Sequence, residues 1–256
     1  VLGRHTWFDR HRSRVITLVS LAVGAILWEI IGRFFLDPIF FASFSETAGA
    51  LIHIVQNGDL ATGLLESLQL FAAGFALGTA LGLIVGVAVG RIEILRLGLE
   101  DYITFLYIMP NIVLIPFILA VIGFGFWPKT LVVVLFVFFP VCFNVIEGVR
   151  AISRRLVEVA RSFGANEWGV WKDVVIPATV PYAMTGIRQG IARGLVGMIG
   201  AEFLLDSSGL GQLLLIYARR YQMDNLLAAV VVVVTIGLVA MAGGRVLETR
   251  FSRWRS

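Results

Sequence analysis

Six apolar stretches separated by short polar segments dominate this chain and leave it little freedom of fold. Each is close to the run of about 20 helical residues that a hydrocarbon core demands. Helices suit that solvent because every backbone N–H and C=O is satisfied within the segment. The expected spans are Val15 to Leu36, Thr62 to Gly90, Tyr102 to Ile122, Thr130 to Ile146, Thr185 to Leu205 and Leu226 to Gly244. Composition agrees: of 256 residues 58% are apolar and only 15% charged, against about a quarter charged in soluble domains. The expected fold class is an all-α integral membrane protein of six passes, the domain covering residues 15–256 after a tail of residues 1–14.

A net charge of +4 would suit a nucleic-acid partner if the basic residues formed a patch, but they do not, and no such partner is expected. Segments 1–14, 91–101, 149–188 and 245–256 carry 16 of the 21 Lys and Arg residues. Among them are Arg4, Arg10, Arg12 and Arg14 before the first span and Arg245, Arg250, Arg253 and Arg255 after the last. By the positive-inside rule these segments, including the tail 245–256 and both termini, lie in the cytoplasm. A basic stretch before an apolar run also resembles a secretory signal. No small-x-small cleavage pattern follows near Leu36, so the first helix is expected to be retained. Glu29 and Arg33 interrupt its far end, four apart on one face, where they can pair. With one cysteine, Cys142, and three histidines, no zinc or haem motif is available and no metal site is expected.

Within the second span Gly74, Gly78, Gly82, Gly86 and Gly90 recur every fourth residue, and Gly186, Gly190 and Gly194 repeat the spacing at the start of the fifth. Residues four apart share a helix face, so each set makes a groove for close backbone approach. The groove serves either packing within the chain or a sliding or subunit surface. In the third span Met109, Pro110, Asn111 and Pro116 interrupt the helix. A membrane proline frees a carbonyl and bends the axis, leaving Asn111 to make a structural hydrogen bond or to line a pathway. Arg193 and Glu202 are the deepest charges of the fifth span, and charge in hydrocarbon must face the interior or an aqueous cavity. Glu202 has two readings, pathway or gate contact and anchoring of the turn Ser207 to Gly211.

The segment 149–184 breaks the apolar pattern. Ile152, Leu156, Val159 and Phe163 follow helical spacing, and Trp168, Trp171 and Val175 suggest a second apolar face beyond Gly164. Gly164 permits a tight turn, and Pro177 restricts the chain before it re-enters the membrane. Two short helices with aromatic anchors and positive charge make a docking element on the cytoplasmic side.

Glu158-Val159-Ala160, Gly164 after three intervening residues, and Ile176-Pro177 resemble the EAA motif of bacterial ABC importer permeases, with valine in place of the first alanine. Tyr107 to Asn111, Ile115-Pro116, Gly123-Phe124-Gly125, Ala201-Glu202-Phe203 and Ser208 to Gly211 resemble the nitrate, taurine and alkanesulfonate permease branch. The resemblance implies a six-transmembrane-helix type I ABC importer permease with cytoplasmic coupling helices, in the bacterial inner membrane. It implies that Glu158, Ala160, Gly164 and Pro177 couple the chain to an ATPase, with Trp168 beside them as an apolar anchor. It also implies the partners: a second permease copy forming a homodimer, two cytoplasmic ATPase subunits holding ATP and Mg, and a periplasmic or lipid-anchored solute-binding protein. The cargo would be a small solute such as nitrate, taurine, a sulfonate or a related organic compound.

No phosphate loop of the form G-x-x-x-x-G-K-[ST] occurs, so the chain is not expected to be an enzyme or to hold a cofactor of its own. The alternative is a secondary transporter driven by an ion gradient, which leaves the docking segment without a role. A serine protease reading at Ser208 lacks a base, since no histidine lies in the later spans.

Overall fold

The computed structural model describes residues 7–205 and 208–251; Arg4, Ser207, Arg253 and Arg255 lie outside them. Every regular element among the described residues is helical. They group into two compact units, Val1–Ala61 with Leu213–Val232 and Thr62–Gln212 with Val233–Ser256.

The first unit is built on α1 (Trp7–Phe34) and the amphipathic α2 (Phe44–Gln56). The α1 backbone is already helical before the apolar run at Val15, so the basic stretch is not a separate coil. The expected Glu29–Arg33 pair forms at 3.0 Å, and Glu29 also accepts from the Ser45 N–H and hydroxyl. The Trp28 indole donates to the Ala42 carbonyl. Ser43 and Glu46 close a capping box on α2, each side chain accepting from the other's backbone N–H. The bond from the Ser43 N–H holds the Glu46 carboxyl below the usual carboxylate range.

The second unit is organised around α6 (Phe126–Arg150), the most enclosed helix. It lies against α3 (Asp59–Arg91) and α9 (Ile176–Leu205). Val133, Val137, Val141, Val145 and Val149 of α6 sit over Gly74, Gly78, Gly82, Gly86 and Gly90 of α3. A β-carbon at any of these glycines would come within 2.5–2.8 Å of a valine or of the α6 backbone. Gly186, Gly190, Gly194 and Gly197 of α9 meet α6 in the same way, mainly at Val141, Val137 and Phe136. In lipid no hydrophobic force drives helices together, so this depth of interdigitation supplies the dispersion contacts that do.

Two expectations change. The third span is not one helix: α4 (Glu93–Ile108) and α5 (Leu114–Ile122) meet at 88°, joined through Pro110 and a 3₁₀ turn at Asn111–Val113. Pro110 holds its predecessor Met109 in extended backbone, which ends α4 there. The helix of the fifth span begins well before Thr185, and Pro177 lies inside helix instead of at a break. Helix runs without a break from α8 (Glu167–Val170) through a π turn at Trp171–Val175 into α9, with Pro177 in the first turn of α9. Lacking an N–H, Pro177 is tolerated there, and the wider turn just before it loosens the ladder that proline would otherwise break. Among the described residues, long apolar helices number four, or six when each bent pair counts as one span.

Candidate functional site

The segment read as a docking element is a helix–turn–helix. Arg154–Ser162 forms α7, and Gly164 follows with φ +85°. The Gly164 N–H donates to the Arg161 carbonyl at 2.9 Å and the Ala165 N–H to the Ala160 carbonyl at 3.0 Å. This Schellman closure needs a left-handed residue at 164, which is why glycine is favoured although nothing lies within 4 Å of its missing β-carbon. Asn166 then caps α8, accepting from the Gly169 N–H at 2.8 Å. Glu167 takes Arg161 at 2.6 Å and Arg91, at the end of α3, at 3.3 Å, bracing the turn from both sides.

Leu156, Val159 and Phe163 form the apolar face of this element and are uncovered, with Phe163 89% exposed. Trp168, on α8 beyond the turn, is also uncovered, at 71% exposed. Glu158 is exposed on α7 and lines a shallow cavity of about 250 Å³ with Arg91, Arg154 and Arg161. Ala160 is half-buried, and Pro177 lines a separate cavity of about 320 Å³ with Gly148, Leu156 and Tyr182.

Arg193 and Asn111 come together at a second place. They line a cavity of about 470 Å³ with Tyr107, Met109, Phe136 and Val196. Asn111 is buried at the helix break; with its amide nitrogen turned toward them, it donates to the Leu106 and Met109 carbonyls at 3.2 Å. Arg193 lies over the Tyr107 ring at 4.6 Å and donates to its hydroxyl at 3.4 Å.

Glu202 is not in that cavity. It is 1% exposed and accepts from the Ser67 hydroxyl at 2.7 and 2.9 Å and from the Gly211 N–H at 2.9 Å. Around it the Leu210 N–H donates to Ser67 Oγ, the Gly209 N–H to Glu66, and buried Lys129 to the Ser208 hydroxyl. Glu66, Ser67 and Lys129 escape sequence reasoning. They lie on α3 and α6, and their one local signal is being polar in apolar runs.

Residues 78–253 match the model of the binding-protein-dependent transport system inner membrane component family. The chain belongs to this family. It is therefore a multi-pass membrane transport component. An ABC transporter permease of Methanocaldococcus jannaschii is 29% identical over 94% of this chain and 91% of its own. An aliphatic sulfonates transport permease of Bacillus subtilis is 27% identical over 93% and 87%. A riboflavin transport system permease of Chloroflexus aurantiacus is 33% identical over 82% and 78%. In fold, an amino acid ABC transporter structure superposes with a TM-score of 0.62 at 18% identity, over 79% of this chain and 97% of that one. An inward-facing structure of the MetNI methionine ABC transporter gives 0.61 at 17% identity, over 74% and 94%.

Proposed function

We propose that this chain is the permease of an ATP-driven, binding-protein-dependent importer of a small organic solute. The observation that carries the proposal is the uncovered apolar face of Leu156, Val159, Phe163 and Trp168 on a helix–turn–helix whose turn is fixed by Gly164. Large apolar patches rimmed by charge serve as partner surfaces, and Arg154, Arg155, Lys172 and Asp173 are exposed within the same segment. Its family makes an ABC ATPase the fitting occupant, with Glu158, Ala160, Trp168 and Pro177 in or beside the contact. ATP and Mg then belong to that partner.

The unbroken helix from Glu167 to Leu205 suits a lever, carrying motion from the docking surface to Arg193 in the membrane. Alternating access requires such a two-state element biased by nucleotide. In this reading Arg193 lines the path, Asn111 holds the break beside it, and Glu202 fixes the outer end of the lever. Two copies of the chain enclose the path, and a solute-binding protein delivers cargo from outside. The sulfonate and riboflavin relatives favour an organic cargo over a bare ion.

Co-expression with a candidate ATPase and binding protein, followed by uptake of a solute panel into vesicles, tests this. The expected result is ATP-dependent accumulation of one solute, abolished by Gly164→Val while the chain still inserts. Transport under an ion gradient with no ATPase present would sink the proposal.

A further inference from the structure

Among the described residues Arg193 has no acidic partner: no carboxylate lies within ion-pair distance of it, whereas the other arginines inside the expected spans, Arg33 and Arg188, pair with Glu29 and Glu248. Nor is Arg193 at a helix end. It stands 12 residues from Leu205 and 17 from Ile176, near the middle of α9, which at 1.5 Å per residue is about 18 and 25 Å of helix. Long cationic side chains reach lipid headgroups from near the ends of a span. From mid-helix that escape is too far, which disfavours a lipid phosphate as the neutralising group.

The surroundings are arranged around the cation. Tyr107 is held by a parallel stack on Phe143 at 4.9 Å, and its ring takes the guanidinium by a cation–π contact. That contact and the single bond to the Tyr107 hydroxyl use one of the five N–H donors of the guanidinium. The remaining donors border a cavity of about 470 Å³ in which Arg193 is the one charged lining residue. Its volume falls within the roughly 300–1,000 Å³ of small-molecule sites. Met109, Phe136 and Val196 give the rest of the cavity an apolar wall.

We propose that Arg193, held by Tyr107, is a station for the anionic group of the transported solute, a small organic anion such as a sulfonate or carboxylate whose apolar body lies against Met109, Phe136 and Val196. A guanidinium suits oxyanions because its planar donors engage two oxygens at once. The station gives the pathway its charge preference, separately from any selection by a binding protein. This inference rests on the reading of the cavity as part of a transport path.

Chemical protection tests the station without requiring transport. The full chain, with its ATPase, is placed in nanodiscs and treated with phenylglyoxal, which modifies arginine, and the rate at Arg193 is read by mass spectrometry. Ethanesulfonate is expected to slow modification about tenfold at saturation, and neutral ethanesulfonamide to have no effect. Equal rates with and without ethanesulfonate, equal protection by the sulfonamide, or an Arg193 that does not react would overturn the proposal. Repeating the reaction with and without anionic lipid separates sources: protection that follows the lipid instead of the sulfonate also overturns it.

Uptake supplies the second reading. Arg193→Gln is expected to lower the preference for an anion over its neutral isostere about tenfold, with Arg193→Lys keeping part of it. A preference unchanged in Arg193→Gln counts against the station. If no solute is taken up with ATP, the importer reading fails, and the protection experiment still decides the fate of the station.

Discussion

Glu202 shows how far a single residue's role depends on neighbours that are distant in sequence. Its carboxylate, Ser67, and the backbone N–H groups of Leu210 and Gly211 form a cluster enclosed by protein. A buried donor left without its acceptor costs about 1–3 kcal/mol. Glu202→Ala strands the Gly211 N–H and the Ser67 hydroxyl together, while Ser67→Ala leaves the Leu210 N–H without its acceptor and the carboxylate without one donor. Both are expected to lower the unfolding midpoint in detergent, Glu202→Ala the more. Because the residues share one network, the double variant is expected to be less unstable than the two losses combined. Additive losses would show that Glu202 and Ser67 act independently. From sequence, Glu202 could be placed near the turn that follows it, since nine residues of helix separate it from Arg193. Its actual partner on α3, 135 positions away, had no local signal beyond being polar in an apolar run. The offsets of Ala160 and Gly164 were legible because a Schellman turn is written within six consecutive residues.

At the scale of elements, the four-residue glycine spacing carried more information than any other pattern in the chain. It marks a face but not its partner, because spacing does not say which helix will fill the groove. The valines of α6 repeat at the same interval, Val133 to Val149, and the structure sets one row into the other. Gly82 and Gly98 make a controlled comparison. A β-carbon at Gly82 would fall 2.8 Å from Val141, whereas at Gly98 on α4 it would meet nothing within 4 Å. Gly82→Leu is therefore expected to push α3 from α6 and to cost about 1–3 kcal/mol or more through overpacking, with Gly98→Leu close to neutral. Thermal unfolding in one detergent measures both. Equal behaviour of the two variants would mean that α3 and α6 are not locked by the ridge. The break between α4 and α5 was legible as a bend but not as an 88° turn. A proline ends a helix by rules local to its own residues, and the direction in which the chain resumes is decided by what it packs against, here Ile115 and Ile118 against Val132 and Phe136 of α6.

The bend matters most for the molecule as a whole, because it decides how many times the chain crosses. If α4 and α5 together traverse the bilayer, the Gly123–Gly125 turn is outside, α6 returns inward, and the docking segment at Arg154 faces the cytoplasm. If instead they form a re-entrant hairpin, the same turn lies inside and α6 carries Arg154, Arg155 and Arg161 outward. The positive-inside rule favours the first arrangement, since these arginines follow α6 directly. Single cysteines at Asn57, Phe124 and Arg155, all exposed positions, separate the two. The native Cys142 is fully buried and stays silent toward a membrane-impermeant maleimide. Asn57→Cys and Phe124→Cys are expected to label in intact cells, and Arg155→Cys only after the membrane is opened. Labelling of Arg155→Cys from outside, with Phe124→Cys protected, would invert the topology of the second unit and remove its docking surface from the reach of any ATPase. The proposed function therefore stands or falls on the side of the membrane that one broken helix delivers, a property set by Pro110 and its packing more than by any residue of the docking surface itself.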